Sequence, residues 1–143
     1  MKKVMYVLMV AVIPFVACSS DDDNGGQDPI VGKWLLSASV EYKDGEQIQN
    51  EQLSECEKES LIEYRVDGGG SSSRSYIEDG ECVGDGYGLT WRNIGNGIYA
   101  ISVNKQAEEE YSVVVHGKTL MISQSYEDAG IEYSYTETFK SID

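Results

Sequence analysis

The groups in this chain that could do chemistry are few in kind: one histidine, three cysteines, ten tyrosines and 25 carboxylates. His116 stands beside Gly117 between two alternating runs, where a solvent-facing turn residue fits better than a catalytic base. A Ser-His-Asp triad also needs an orienting partner and a shaped pocket. Serines and aspartates are too abundant here to single out either. Carboxylates paired for glycoside hydrolysis would come from Glu108, Glu109 and Glu110, or from Glu127 and Asp128. Both groups fall in turn signals, where a charge run is usually a solvated loop. Gly68, Gly69 and Gly70 lack the lysine and the following helix of a phosphate loop. Read as an EF-hand with Gly25 at its glycine position, Asp21, Asp22 and Asp23 put Ser20 first and Val31 last, without the required Asp and Glu. Zinc wants four ligands, and His116 with Cys56 and Cys82 falls short. The residues point to no catalytic group, no metal and no cofactor, so an enzyme is not expected. A hydrolase would be revived only by a convergent carboxylate pair in a cleft.

Two sets of residues remain. Cys56 and Cys82 form an even pair once Cys18 is set apart. In an oxidising compartment such a pair reads as one disulfide, with two free thiols as the alternative. Closing a loop of about 26 residues stabilises by roughly 3.5 kcal/mol in the chain-entropy picture. The other set is aromatic. Tyr64, Tyr76, Tyr87, Tyr99, Tyr111, Tyr126, Tyr133 and Tyr135 all fall in predicted strands. Tyrosine suits strands, so cross-strand packing accounts for much of this. The functional reading is an aromatic-lined cavity, since an amphipathic ring offers an apolar face and a hydroxyl that orients a ligand. Trp91 joins that set if it faces inward. The net charge of −14 argues against nucleic acid as a partner, because phosphates would be repelled.

The elements that must position these residues alternate with period two. Trp34, Leu36, Ala38, Val40 and Tyr42 share one side of a first strand, with Leu35 the exception. Residues 47–59 are polar, and Ser54 three before Glu57 fits a short helix or an irregular loop. Residues 61–66 and 73–77 read as strands, and residues 78–86 as a Gly/Asp loop holding Cys82. Strands over 87–92, 98–103, 109–115, 119–126 and 131–139 follow, separated by Gly, Asn and Asp turns. That makes eight short strands and no amphipathic helix. Consecutive hairpins of this kind predict an all-β fold, an eight-stranded up-and-down antiparallel barrel, with a two-sheet sandwich as the alternative.

The amino end reads as an address. Lys2 and Lys3 precede an uncharged run over residues 4–17, too short at about 21 Å to cross a ~30 Å hydrocarbon core. It fits a signal peptide, residues 1–17. Phe15-Val16-Ala17-Cys18 resembles the lipobox of bacterial lipoproteins, in which the cysteine is acylated and becomes the first mature residue; an ordinary secretory signal is the alternative. Residues 18–29 hold no apolar side chain beyond the cysteine and proline, and read as an acidic tether. Cys18-Ser19-Ser20-Asp21-Asp22-Asp23 is similar to the acidic export signal of surface lipoproteins in Bacteroidetes-type bacteria, with a plain charged spacer as the alternative.

From Ile30 onward the chain resembles the small lipocalin-like lipoproteins of that group. The likeness lies in Gly32-Lys33-Trp34 opening the first strand, in Cys56 and Cys82, and in Gly88-Leu89-Thr90-Trp91 before a Gly/Asn turn. It departs in lacking a Thr-Asp-Tyr motif and an arginine near the last strand, where Lys140 is the nearest cation. The resemblance implies a barrel over residues 30–143 closed at one end by Gly32 and Trp34. It implies a lipid-anchored protein of the outer membrane, exposed at the cell surface, that binds a small, mostly apolar ligand. Tyr64, Trp91, Tyr111, Tyr133 and Tyr135 are the expected cavity residues. A small barrel can also be filled by its own side chains; the chain would then be an interaction protein that meets a protein or glycan partner.

Overall fold

The computed structural model describes residues 26–143. The signal segment, Cys18 and most of the tether lie outside the described residues. Nine strands follow one another: β1 (Gly32–Lys43), β2 (Glu46–Glu51), β3 (Leu61–Tyr64), β4 (Gly69–Glu78), β5 (Glu81–Gly95), β6 (Ile98–Val103), β7 (Glu109–His116), β8 (Thr119–Asp128) and β9 (Ile131–Ser141). A single 3₁₀ turn, Glu57–Glu59, is the only helical element among the described residues.

All pairings are antiparallel. β1 pairs with β9 along most of its length on one flank. On the other flank it pairs with β3 near Gly32 and with β2 near Lys43. From β3 the strands run in order to β9, which returns to β1. β1 and β3 to β9 therefore close an eight-stranded barrel, and the sandwich is excluded. β2 continues the row of β3 along the far half of β1.

Tight turns set the hairpins. Asp44-Gly45, Asp79-Gly80 and Ala129-Gly130 all have positive φ at both positions, the twist that two-residue hairpins require. All three lie at one end of the barrel, the mouth. The opposite end carries residues 28–31, the 65–68 turn, Asn96-Gly97 and Gly117-Lys118.

The strands depart from the alternation at three places. First, residues 46–51 form a strand instead of helix or loop. The flank of β1 beyond Leu35 has no other partner once β3 ends, and main-chain pairing there does not need apolar side chains. The helical part shrinks to the 3₁₀ turn, where Ser54 and Glu57 exchange bonds: Ser54 N–H to Glu57 Oε2 at 2.7 Å and Glu57 N–H to Ser54 Oγ at 3.2 Å. Second, the 78–86 stretch is a hairpin, in register from Glu78↔Glu81 to Ser73↔Gly86; alternating glycines hid a regular strand. Third, the β1–β9 register slips between Leu36 and Ala38, and Ser37 Oγ donates to the Thr138 carbonyl at 2.9 Å. The bulge reverses the faces. Leu36 pairs with inward Phe139, but Ser39 pairs with Glu137, Glu41 with Tyr135 and Lys43 with Tyr133. Ala38, Val40 and Tyr42 therefore face outward, not inward with Trp34.

The apolar core fills the closed half. Ile30, Leu120 and Tyr64 are almost wholly buried, with Trp34, Leu36, Tyr99, Val113, Ile122 and Phe139 around them. Trp34 Nε1–H donates to the Ile30 carbonyl at 2.8 Å. Asp28, read with the tether, is bonded into this end. It accepts from Tyr99 Oη at 2.7 Å, from Asn93 Nδ2 at 2.9 Å and from the Ile30 amide at 3.1 Å.

Candidate functional site

Above the core the interior opens into a cavity of ≈ 230 Å³. Its lining mixes both kinds around the barrel: Ile62, Leu89, Ile101, Val103, Ile122 and Phe139 are apolar, and Tyr64, Ser72, Arg74, Tyr87, Tyr111, Tyr135 and Glu137 are polar. The period-two geometry of β3, β4, β7 and β9 turns these residues inward. β6 and β7 stop near the level of Leu89, paired with Val103, while the β4–β5 and β8–β9 hairpins continue beyond it. The wall is therefore low between them. A larger hollow of ≈ 430 Å³, lined by Arg65, Gly88, Thr90, Ser102, Asn104 and Lys105 among others, includes Gly88 and Thr90, which alternate with the inward Tyr87 and Leu89. It lies against the outer wall.

The polar groups of the cavity are linked across strands. Arg74 on β4 reaches Glu137 on β9, Nη2 to Oε2 at 2.6 Å. Nearer the mouth Tyr111 Oη donates to Glu109 Oε2 at 2.9 Å, Tyr135 Oη to Gln124 Oε1 at 2.9 Å, and Gln124 Nε2 to Glu109 Oε2 at 3.2 Å. Burial works against charge on Arg74, but the hydrogen bond and field of Glu137 more than offset it, so its affinity for the proton rises. Burial, then the field of Glu137, pushes the Tyr64 phenol well above the usual tyrosine range. Tyr111 and Tyr135 are raised as well, first by burial, then chiefly by the Glu109 bond and by Glu137 respectively. The phenols of Tyr64 and Tyr135 thus lie in the field of one compensated ion pair.

Residues 30–123 match the lipocalin-like domain family. The chain belongs to that family. The barrel of this lipocalin-like domain is similar to solved apocrustacyanins. Apocrustacyanin C1 matches with a TM-score of 0.52 and 15% identity, and lobster apocrustacyanin A1 with 0.52 and 14%, each over 82% of this chain. The chain spans 63% of the length of each of those proteins. At that identity the likeness establishes the fold alone. No curated protein matches the chain in sequence.

The lipocalin-like barrel brings together three of the five residues expected at the cavity: Tyr64, Tyr111 and Tyr135. Trp91 is not in the lining. Its Nε1–H donates to the Arg65 and Gly69 carbonyls, both at 3.1 Å, and its ring lies 6.0 Å from both Tyr64 and Tyr99. Closing the β3–β4 turn uses that side chain. Tyr133 is not in the lining either. It faces inward but stands above the cavity, stacked on Tyr126 at 5.3 Å with Lys43 Nζ 5.9 Å from its ring. Gly32 and Trp34 lie at the closed end. Gly32 has φ +147°, and a Cβ there would meet the Asp143 carboxylate at 3.3 Å, so only glycine fits. Lys140 does not cover Trp34; its Nζ donates to Thr119 Oγ1 at 2.8 Å. Cys56 and Cys82 form a disulfide with Cα atoms 5.6 Å apart, tying the 3₁₀ turn to the tall β4–β5 hairpin.

Arg74 and Glu137 escaped sequence reasoning, though a signal was present. Glu137 occupies the same parity as Tyr133, Tyr135 and Phe139, a lone carboxylate in an otherwise aromatic stripe. Arg74 is the one cation in a run of serines. An isolated charge on an inward stripe needs a partner, and each supplies the other's.

Proposed function

We propose that this lipocalin-like domain is the binding module of a lipid-anchored envelope protein, moored through Cys18 at the outer membrane on the cell surface, and that its barrel holds a small, mostly apolar ligand. The observation that carries the ligand reading is the ≈ 230 Å³ interior cavity with six aliphatic or phenyl side chains in its lining. Ligand sites are usually concave, mostly apolar and furnished with a few placed polar groups, at ~300–1,000 Å³ for drug-sized molecules. The cavity falls below that range, so the ligand is compact, smaller than a sterol or haem. Residues 28–31 lie at the closed end. A tether leaving there sets the mouth away from the anchor, which supports access from outside.

Binding is tested by titrating small aromatic and terpenoid compounds into the mature protein and following amide and methyl resonances. Shifts confined to Ile122, Phe139, Tyr111 and Tyr135 are expected; no saturable shift from any compound refutes the reading in favour of a filled interaction barrel. Anchoring is tested separately by Cys18→Ala, which is expected to move the protein from the membrane to the soluble fraction. Unchanged partition refutes it.

A further inference from the structure

The polar groups around the cavity are unequally satisfied. The Tyr111 hydroxyl goes to Glu109, the Tyr135 hydroxyl to Gln124, and the Arg74 guanidinium to Glu137. The Tyr64 hydroxyl meets no hydrogen-bond partner among the described residues, although Tyr64 is only 1% exposed. Its phenol feels Glu137, Tyr111 and Arg74, and all three line the same cavity. Tyr64 itself lines that cavity with them. A buried polar group is rarely left without a partner, and leaving it so is costly. A bound molecule that supplies an acceptor removes that cost.

The neighbouring ion pair limits what the molecule can be. Arg74 and Glu137 compensate each other at 2.6 Å, and the Glu137 side chain is 15% exposed. A carboxylate entering here meets Glu137 with no uncommitted cation to receive it. An ammonium meets Arg74. A pure hydrocarbon enters but leaves the Tyr64 hydroxyl unpaired.

We propose that the cavity selects small neutral molecules bearing a carbonyl oxygen, that Tyr64 donates to that oxygen, and that the Arg74–Glu137 pair excludes carboxylates. This selectivity rests on the binding reading above and specifies the ligand class for the same cavity.

Acetophenone, ethylbenzene and benzoate share a ring and nearly the same volume, and differ in carrying a carbonyl, no oxygen or a carboxylate. They are titrated into the mature protein by calorimetry, with amide and methyl resonances recorded in parallel. Acetophenone is expected to bind about tenfold more tightly than ethylbenzene, the factor one hydrogen bond supplies. Benzoate is expected not to saturate. Tyr64→Phe keeps the ring and is expected to abolish the preference for the ketone. Glu137→Gln frees Arg74 and is expected to make benzoate bind. Equal affinities of the ketone and the hydrocarbon for the native protein, a preference that survives Tyr64→Phe, or benzoate still absent after Glu137→Gln each overturn the selectivity and leave ligand binding standing. If none of the three moves the resonances of Ile122 and Phe139, both fall together.

Discussion

At the closed end Trp34 and Trp91 give their indole N–H groups to main-chain carbonyls, and Tyr99 gives its hydroxyl to the fixed carboxylate of Asp28. Toward the mouth Tyr111 and Tyr135 give theirs to the movable side chains of Glu109 and Gln124. Both regions are aromatic, but one spends its polar tips on holding backbone and the other on side chains a ligand could displace. Aromatic content alone therefore does not mark a binding site. The partner of the polar tip does.

That contrast is open to direct attack. Its largest consequence concerns Trp34. Trp34→Ala at the closed end is expected to cost about 3–5 kcal/mol, the range for truncating a buried tryptophan, seen as a fall in the urea midpoint. A loss below about 1 kcal/mol would mean that the closed end is not the stability centre. Next is the disulfide, the strongest device on the mouth side. Replacing Cys56 and Cys82 together by alanine is expected to cost about 2–4 kcal/mol, read by the same denaturation. Here secondary structure should survive, because β4 and β5 keep their own ladder from Gly69↔Thr90 to Glu78↔Glu81.

Tyr64 lies between the two regions, and its effect is smaller but has a distinctive pH signature. Its folded-state proton affinity is raised above the 10.0 of the unfolded chain. Its contribution is therefore complete below that pH and is lost as pH rises above it, by about 1.4 kcal/mol per pH unit. Tyr64→Phe is expected to flatten the alkaline fall in stability by that slope. Near neutrality it should stabilise the unliganded protein by about 1 kcal/mol, since an unsatisfied hydroxyl is removed. A destabilised variant would show that the hydroxyl is satisfied, and an unchanged alkaline limb would show that its proton affinity is not raised. The smallest effect is expected at the rim: Tyr133→Ser, losing the stack with half-exposed Tyr126, should change stability by less than about 1 kcal/mol.

The closed half was largely legible in the sequence and the mouth was not, for physical reasons. Apolar alternation reports burial, so the inward facing of Trp34 and Leu36 is readable from pattern alone. The Ser37 bulge shifts one residue without leaving an apolar signature, so Ala38, Val40 and Tyr42 were assigned to the wrong face. β2 is held by main-chain bonds, and its polar side chains say nothing of them. Trp91 and Tyr133 have the same parity as the cavity residues, yet height along the strand, not face, decides whether they line it. Arg74 and Glu137 are distant in sequence and become a pair only through barrel closure.

Residues 31–33 and 141–143 meet at the same pole: the Lys33 amide donates to Asp143 Oδ2 at 2.8 Å, and the Ile142 amide to the Lys33 carbonyl at 3.1 Å. A label, fusion partner or chip surface attached through either flank is thus placed opposite the low rim between β5 and β8. An immobilised sensor built on this scaffold would keep its receptor opening toward the sample whichever terminus carries the linkage.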